Sequence, residues 1–180
     1  MTSFFNTLNY NMFYYINSAA GKSQLLDTIM LFFAITLPYI YLILYSYLYF
    51  IKKKRKLTLD VSILIILTFT ISTVINFIYF HPRPFMVPVG MNLLDHEVET
   101  SFPSSHTLFY FALTYPMIYH PKHNKLFIIL LLSSLIGGIA RVFCGVHFPM
   151  DIVGGLFLPL ALLYPSIKIS NYIFDKSKEN

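Results

Sequence analysis

The chain has 180 residues, of which 56% are hydrophobic and only 12% are charged, whereas about 25% of residues are charged in an average soluble domain. The apolar residues form long blocks, which exclude an ordinary soluble protein and predict one integral membrane domain over residues 1–180. The net charge of +5 does not indicate a nucleic-acid partner, because five of the thirteen basic residues form one block, Lys52–Lys56, between two apolar runs. The positive-inside rule places such a block in a cytoplasmic loop. The single cysteine, Cys144, excludes an intrachain disulfide.

Residues 1–25 have the pattern of an amphipathic helix that lies in the membrane interface. The apolar residues that recur at helical spacing are Phe4, Phe5, Leu8, Met12, Phe13 and Ile16. A cleavable signal is not expected, because no basic segment precedes these residues and several asparagines interrupt them. The alternative is a partly disordered terminus.

Five apolar runs are candidates for membrane-spanning helices. They cover residues 25–51, about 57 or 61 to 80, 107–119, 126–140 or slightly beyond, and 152–169. The third run is short for a span unless it begins near Ser104. Pro38 is expected to kink the first run, and Gly137-Gly138 is expected to allow close helix approach in the fourth. If the basic block is cytoplasmic, alternation places residues 81–106 and 141–151 together on the outer face. The sequence therefore predicts an all-α bundle with its most polar segments at one end.

The segment Arg141–Asp151 sets charged residues between two apolar runs, where an ionisable group indicates a functional site. His147 and Asp151 are four residues apart, so on a helix they would share one face. There the carboxylate can hold the imidazole in one tautomer and support positive charge on it. Arg141 offers a planar set of donors suited to phosphate oxygens. The alternative is an ion pair that caps a helix end at the membrane surface.

Two further motifs fall on the same predicted face, Arg83-Pro84 and Pro103-Ser104-Ser105-His106. Two arginines, a hydroxyl and the first N–H groups of a helix beginning near Ser104 would form an oxyanion site. Two histidines beside that site suit phosphoryl transfer, in which one attacks phosphorus and the other protonates the leaving oxygen. The acidic residues 95–99 are expected to be solvated, the alternative being that they repel anionic headgroups.

The order and spacing of these motifs resemble the type 2 phosphatidic acid phosphatase superfamily, whose lipid phosphatases share their core with vanadium haloperoxidases. The residues that carry the resemblance are Arg83-Pro84, Pro103-Ser104-x-His106 and Arg141-x5-His147-x3-Asp151. The resemblance implies a core of about five transmembrane helices with the site at its outer edge. It also implies an enzyme that works without a metal or another cofactor.

The same resemblance assigns a role to each matching residue. His147 would be the nucleophile that forms a phosphohistidine, and Asp151 would orient it. His106 would be the general acid for the leaving oxygen and later the base for water. The groups expected to bind phosphate oxygens are the side chains of Arg83, Ser104 and Arg141 and the amides of Ser105 and His106. Fixed cations would thus take the place of Mg²⁺ in stabilising the transition state.

Two positions depart from the pattern of the superfamily. A lysine usually stands seven residues before the first arginine, but here that position is Asn76. Asparagine can donate a hydrogen bond but brings no charge, so Asn76 is expected to join helices rather than to bind phosphate. His81 is the nearest residue in sequence that could supply a substitute cation. Ser105 stands where glycine is usual, which an ordinary helical backbone would tolerate.

Within the superfamily the chain resembles the bacitracin-resistance type of undecaprenyl pyrophosphate phosphatase. The cues are the Asn-rich N-terminal segment, Leu26-Asp-Thr28, Phe80-His-Pro-Arg-Pro-Phe85, Ser101-Phe-Pro-Ser104 and His147-Phe-Pro-Met-Asp151. The implied reaction removes the terminal phosphate of undecaprenyl pyrophosphate on the periplasmic face of the bacterial cytoplasmic membrane, which regenerates the carrier lipid for cell-wall synthesis. The implied partners are this lipid, or another phospholipid substrate, and the surrounding membrane lipids.

Three alternatives remain open at this point. The same chemistry would serve a phosphatase of lipid A, phosphatidylglycerolphosphate or phosphatidic acid, because the motifs do not identify the headgroup. A non-enzymatic lipid or anion transporter would carry polar residues near the midplane of its spans, whereas here they cluster at one face. A haloperoxidase needs vanadate and is typically soluble, which the five apolar runs argue against.

Overall fold

The structure, a computed structural model, describes residues 2–87 and 89–179. Helices account for most of these residues, and no β-strand occurs among them. The α-helices are α1 (Thr2–Asn17), α2 (Gln24–Ile35), α3 (Leu37–Phe50), α4 (Arg55–Ile78), α5 (Ser105–Thr114), α6 (Asn124–Phe143) and α7 (Pro149–Glu179). Three short 3-10 helices cover Pro84–Met86, Tyr115–Tyr119 and Pro121–His123. The predicted all-α fold is confirmed.

Up to four stretches of the described chain are long and apolar enough to cross a membrane. Three of them qualify alone, namely α4, α7, and α6 together with the 3-10 helix that precedes it. The fourth consists of α2 and α3, which qualify only as a pair bent by 42°. The bend falls at Thr36, which ends α2 and precedes α3. Pro38 fits in the first turn of α3 because no intrahelical partner is needed for its missing N–H group there. The predicted kink at Pro38 is confirmed.

The third predicted run, residues 107–119, is short in the structure even though its helix begins at Ser105. α5 has 10 residues and continues as a 3-10 helix of 5 residues that contains Pro116, whereas a spanning helix needs about 20 residues. Most side chains of α5 are buried, because α3, α4, α6 and α7 all pack against it. Protein therefore surrounds α5, and the rest of the bundle is built around it.

Glycines let neighbouring helices lie close against α5. A Cβ atom at Gly137 of α6 would come within 2.8 Å of both Leu37 in α3 and Tyr110 in α5. A Cβ atom at Gly155 of α7 would come within 2.7 Å of Thr107. Side chains at these positions would force the helices apart. The close approach predicted at Gly137 is confirmed, and a similar contact at Gly155 fixes the start of α5 against α7.

α1 packs across the ends of α6 and α7. Its exposed aromatic residues include Phe4, Phe5 and Tyr15. On its opposite side Phe13 is fully buried against Phe148. The buried amide of Asn17 donates hydrogen bonds to the carbonyl oxygens of Met91 and Phe143, each at 2.8 Å. The helix predicted within residues 1–25 is confirmed, and an asparagine that interrupts its apolar pattern binds it to the loops beneath.

The connections between helices divide between two ends of the bundle. Residues 79–104, between α4 and α5, and residues 144–148, between α6 and α7, share one end. The basic block between α3 and α4 and the segment 115–123 between α5 and α6 share the other end. The predicted separation of the two motif-bearing segments from the two basic connections is therefore confirmed.

Candidate active site

Backbone hydrogen bonds hold the two motif-bearing loops together. The amide of Leu93 donates to the carbonyl of Cys144 at 3.0 Å, which joins the long loop to the α6–α7 loop. Within the long loop, the amide of Ser101 donates to the carbonyl of His81 at 2.7 Å. Gly145 has a φ of 78° and lies so close to Met91 that a Cβ atom would come within 2.2 Å of the Met91 carbonyl oxygen. The long loop and the α6–α7 loop are thus held against each other by backbone contacts.

His147 lies in the α6–α7 loop and is 1% exposed. Its Nε2 lies 3.2 Å from Nη1 of Arg83; since a guanidinium only donates, Nε2 is the acceptor and the ring proton is on Nδ1. Nδ1 in turn lies 3.5 Å from Oδ2 of Asp151 and 3.2 Å from the hydroxyl of Ser101. Burial lowers the pKa of His147 to about 4, against the opposing effect of Asp151. The imidazole is therefore neutral at pH 7 and has a lone pair on Nε2.

Asp151 is fully buried in the first turn of α7. Its Oδ2 accepts hydrogen bonds from the Phe148 amide at 2.7 Å and from the Ser101 hydroxyl. Its Oδ1 lies 3.2 Å from Nδ1 of His81, without hydrogen-bond geometry. The expectation that His147 and Asp151 share one helical face is wrong, because α7 begins after His147. Their contact crosses the start of α7, where the carboxylate also binds the turn at Phe148.

Arg83 is 2% exposed and joins three parts of the site. Its Nη1 donates to the carbonyl of Val146 at 2.9 Å, next to the contact with His147. Its Nη2 donates to Glu99 at 2.7 Å and to the carbonyl of Thr100 at 3.4 Å. Burial lowers the pKa of Arg83, and Glu99 opposes this shift; an arginine nevertheless stays charged at neutral pH. Arg83 therefore supplies a fixed positive charge beside Nε2 of His147.

Arg141 is 3% exposed in the last turn of α6. Its Nη1 donates to the carbonyl of Ala34 at the long distance of 3.4 Å. Its Nε and Nη2 atoms have no hydrogen-bond partner in the part of the chain that the structure describes. Burying a cation without acceptors is costly unless an anion binds to it. The guanidinium lines a cavity of about 500 Å³ with His96, His106 and the carboxylate of Asp95, and its two nitrogens without a partner are placed to bind an anion there.

His106 is the second residue of α5 and lies where two surfaces meet. On one side it lines the cavity that contains Arg141. On the other it lines an apolar groove of about 360 Å³ together with Tyr39, Phe69 and Phe109. Its imidazole is thus placed between a polar cavity that contains the Arg141 guanidinium, which suits a charged headgroup, and a surface that suits hydrocarbon.

Ser104 and Ser105 occupy different environments. Ser104 is fully buried and caps α5, with its hydroxyl accepting from the amide of Thr107 at 3.5 Å and its own amide donating to the carbonyl of Asp151 at 3.1 Å. Ser105 is exposed, and its side chain lines the apolar groove rather than the cavity with Arg141. Ser105 has an ordinary helical backbone, so glycine is not required there. Any part that Ser105 plays in anion binding falls to its amide.

The two residues considered for the missing lysine make other contacts. When the amide of Asn76 is oriented to donate, its nitrogen lies 2.8 Å from the carbonyl of Phe102 and 3.3 Å from that of Ser72. Asn76 thus holds the loop before α5 to α4, a helix-to-loop contact rather than one between helices. His81 contacts Asp151 and stacks on Tyr79. Arg83 and Arg141 remain the two arginines at the site.

The sequence assigns no role to Ser101 and predicts that Glu99 is solvated or repels anionic headgroups, yet both residues belong to the site. Ser101 is fully buried and contacts both His147 and Asp151. Glu99 is 53% exposed, but its carboxylate pairs with the guanidinium of Arg83. The acidic segment is therefore not only solvated. For Ser101 the available signal was its place in the Ser-Phe-Pro-Ser sequence, immediately before the second motif.

No group of three or more His, Cys, Asp or Glu side chains among residues 2–87 and 89–179 is arranged to hold a metal ion. Cys144 is fully buried among small residues that include Ala34 and Ala140. Burial raises the pKa of Cys144 to about 11, so its thiol stays protonated at neutral pH and serves as packing. The fixed positive charges of the site are those of Arg83 and Arg141.

The fold and the site together define a helical membrane protein with two buried arginines beside a neutral, carboxylate-bound histidine. The sequence matches the PAP2 superfamily over residues 55–175, and the chain belongs to this superfamily of membrane phosphatases. It is 29% identical over 169 residues to undecaprenyl-diphosphatase BcrC of Bacillus subtilis (strain 168). The matched residues make up 92% of this chain and 86% of that protein. The resemblance inferred from the three motifs is confirmed.

Two solved structures have the same fold. LpxE of Aquifex aeolicus superposes with a TM-score of 0.77 at 28% identity, covering 89% of this chain and 95% of LpxE. The PAP2-type phosphatidylglycerolphosphate phosphatase of Bacillus subtilis superposes with a TM-score of 0.70 at 22% identity, covering 93% of this chain and 87% of that enzyme. The predicted phosphatidic acid phosphatase-like helical core is therefore confirmed.

Proposed function

We propose that this phosphatase hydrolyses undecaprenyl pyrophosphate to undecaprenyl phosphate and inorganic phosphate. The observation that carries the proposal is the buried guanidinium of Arg141, of which two nitrogens have no partner among the described residues. It lines one cavity with His106, at the end of the bundle where Arg83 contacts Nε2 of His147. The similarity to undecaprenyl-diphosphatase BcrC over most of both chains supports the choice of lipid. Such a substrate carries an anionic headgroup on a long hydrocarbon chain, so it matches a cavity with the unpartnered nitrogens of Arg141 that adjoins an apolar groove.

In the first half of the reaction, Nε2 of His147 attacks the terminal phosphorus. A P–N bond forms as the bond from phosphorus to the bridging oxygen breaks, and the electron pair leaves with the undecaprenyl phosphate. Burial lowers the pKa of His106 to about 3 in the substrate-free protein, so its imidazole takes up a proton when the anionic pyrophosphate binds beside it and then gives that proton to the leaving oxygen. The phosphorylated imidazole keeps its proton on Nδ1, where the adjacent carboxylate of Asp151 stabilises the positive charge that develops on the ring.

In the second half, His106 accepts a proton from water, and the water oxygen attacks phosphorus. The P–N bond breaks, its electron pair returns to Nε2, and inorganic phosphate leaves. Charge on the phosphoryl oxygens is stabilised throughout by the guanidinium groups of Arg83 and Arg141, which are fixed before substrate binds. The hydroxyl of Ser104 and the amides of Ser105 and His106, at the N-terminus of α5, are proposed to bind the same oxygens.

The hydrocarbon chain is proposed to lie in the apolar groove. The groove and the cavity have Pro38, Tyr39 and His106 in common. A lipid whose pyrophosphate binds in the cavity can therefore extend its first isoprene units past His106 along Phe69 and Phe109. We also propose that this end of the bundle faces the periplasm, because the basic connections share the other end.

The test is phosphate release from detergent-purified protein in the presence of EDTA. Undecaprenyl pyrophosphate is compared with lipid A 1-phosphate, phosphatidylglycerolphosphate and phosphatidic acid. We expect a clear preference for the polyprenyl pyrophosphate, and loss of release in His147→Ala, His106→Ala and Arg141→Ala, with His123→Ala as a control at the opposite end. A preference for another lipid would change the proposed substrate, and folded protein that hydrolyses none would favour the transport alternative.

The covalent intermediate has a separate test. Protein quenched during turnover with substrate labelled in its terminal phosphate should carry base-stable label, as phosphohistidine does. His147→Ala should carry none, while His106→Ala should lose the label more slowly than the unaltered protein because water is not activated. Label that persists in His147→Ala would remove this residue as the nucleophile.

A further inference from the structure

A second group of cations lies at the end of the bundle opposite the active site. Residues 53–57 and 119–123, together with Phe174 of α7, line a cleft of about 550 Å³, here called the cationic cleft. Its basic residues are Lys53, Lys54, Arg55, Lys56, His120, Lys122 and His123. Among the side chains that the structure describes, no carboxylate lines it. Two connections far apart in sequence therefore form one positively charged surface, with Leu57 and Phe174 as apolar walls.

Lys56 differs from the other cations because a buried carboxylate neutralises it. Its Nζ pairs with Asp60, which is 1% exposed, and donates to Ser170 of α7 at 2.9 Å. The second carboxylate oxygen of Asp60 lies 2.7 Å from Nε2 of His120. These contacts join α4, α7 and the segment before α6. They hold the two sides of the cationic cleft at a fixed separation.

The remaining cations of the cleft have no such partner. Lys53, Lys54, Arg55 and Lys122 are exposed, and none of them takes part in an ion pair among the described side chains. Lys54 directly precedes α4 and does not cap it with its side chain, so the positive end of the helix dipole adds to the potential. The cleft thus offers several unneutralised positive charges around a preformed depression.

We propose that the cationic cleft binds the headgroup of an anionic phospholipid. The apolar stretches of α4 and α6 begin at Arg55 and Pro121, which places the cleft at the level of lipid headgroups. Lysine and arginine at that level attract anionic lipids at roughly 1 kcal/mol per residue. A soluble anion would use the cations alone, whereas a lipid would also place the start of its acyl chains on Leu57 and Phe174.

This proposal is independent of the catalytic assignment, because none of its residues belongs to the active site. The test compares two triple variants of the full chain that lose the same charge from the same end. The cleft variant carries Lys53→Gln, Lys54→Gln and Lys122→Gln. The matched control carries Lys52→Gln, Lys125→Gln and Lys168→Gln, at positions that do not line the cleft. Both keep Lys56, Asp60 and His120.

Binding of a fluorescent phosphatidylglycerol to detergent-purified protein is measured for both variants, with phosphatidylcholine and free glycerol phosphate as competitors. We expect the cleft variant to bind roughly tenfold or more weakly than the control, phosphatidylcholine to compete poorly, and glycerol phosphate to compete far less well than phosphatidylglycerol. Because both variants have the same active site, lipid bound there cannot produce the difference. Equal binding by the two variants would overturn the proposal, and full competition by glycerol phosphate would replace the lipid with a soluble anion.

Discussion

Arg141 and Lys56 are both cations near the end of an apolar helix, but the bundle treats them differently. Arg141 is 3% exposed and two of its nitrogens have no partner among the described residues. Lys56 reaches a buried carboxylate, which a histidine and a serine also help to fix. A cation that is paired with a buried carboxylate holds helices together, whereas a cation without a carboxylate partner can bind an anionic ligand. The difference separates a structural end of the molecule from a reactive end.

The largest expected effect on activity and stability comes from replacing Arg141 and Lys56 with methionine, an apolar side chain of similar length. Arg141→Met should lower kcat/KM by about 10³-fold, because fixed donors to the transition state are lost. It should also raise the free energy of unfolding by about 1–3 kcal/mol in the absence of phosphate, because a buried polar group without partners is removed. Phosphate release and thermal unfolding in detergent measure the two effects.

Lys56→Met is the matched control at the other end. It should leave kcat/KM nearly unchanged and lower stability, because Asp60 loses its main cationic partner. If Arg141→Met also lowered stability, the guanidinium would be a structural residue and the contrast between the two ends would fail.

The second prediction concerns pH. Burial lowers the pKa of His147 to about 4, below about 6.5 in an unfolded chain. Between these pH values the unfolded chain binds more protons than the folded protein. The stability that neutral His147 contributes is therefore fully present above pH 6.5 and is lost as the pH falls towards 4. The loss should approach about 3 kcal/mol. Unfolding followed from pH 7 to pH 4 should show it, and His147→Gln should remove this part of the dependence.

The third prediction concerns Asp60, the buried carboxylate at the end of the bundle opposite the active site. Asp60→Asn should lower the free energy of unfolding by about 1–3 kcal/mol, because a hydrogen-bonded buried charge is lost from its partners. kcat should stay close to that of the unaltered protein, since the active site lies at the opposite end. Asp175→Asn, an exposed carboxylate near the end of α7, is the control and should change neither quantity. A large loss of kcat in Asp60→Asn would show that the two ends are coupled.

The smallest expected effect lies at the reactive end. Glu99 pairs with Nη2 of Arg83 and so competes with substrate oxygens for this guanidinium. Glu99→Gln should lower KM by roughly two- to fivefold with little change in kcat, because an exposed ion pair contributes little energy. Steady-state kinetics with Glu97→Gln as the control would test this. A higher KM would mean that Glu99 positions Arg83 instead of competing for it.

The sequence predicted the parts of this protein that depend on local pattern. Apolar runs located the long helices, and Pro38 marked the bend, because both follow from hydrocarbon thickness and backbone chemistry. The three motifs predicted that Arg83, His106 and His147 would share one end of the bundle, and the helix connectivity places them there. Their catalytic roles stay predictions until the variants are measured.

What the sequence did not predict depends on tertiary contacts. The length of the third run indicated that α5 would be short, but the four helices that replace lipid around it, and so remove the need for a full span, are seen only in the structure. The contacts of Ser101, Glu99 and His81 arise in a loop without periodicity, where spacing does not determine direction. The position of Asn76 beside the Phe102 carbonyl likewise requires the loop path to be known.

The contacts of Asn17 have a consequence for the membrane itself. Its amide binds the carbonyls of Met91 and Phe143, in the long loop and at the end of α6, while the aromatic side chains Phe4 and Phe5 of the same helix are exposed. One rigid element therefore connects the outer surface of the protein to the backbone that carries the catalytic groups. A force on α1, from lateral pressure in the bilayer or from a bulky fusion at the N-terminus, would therefore reach the loops of the active site. Reporter domains are better attached after α7.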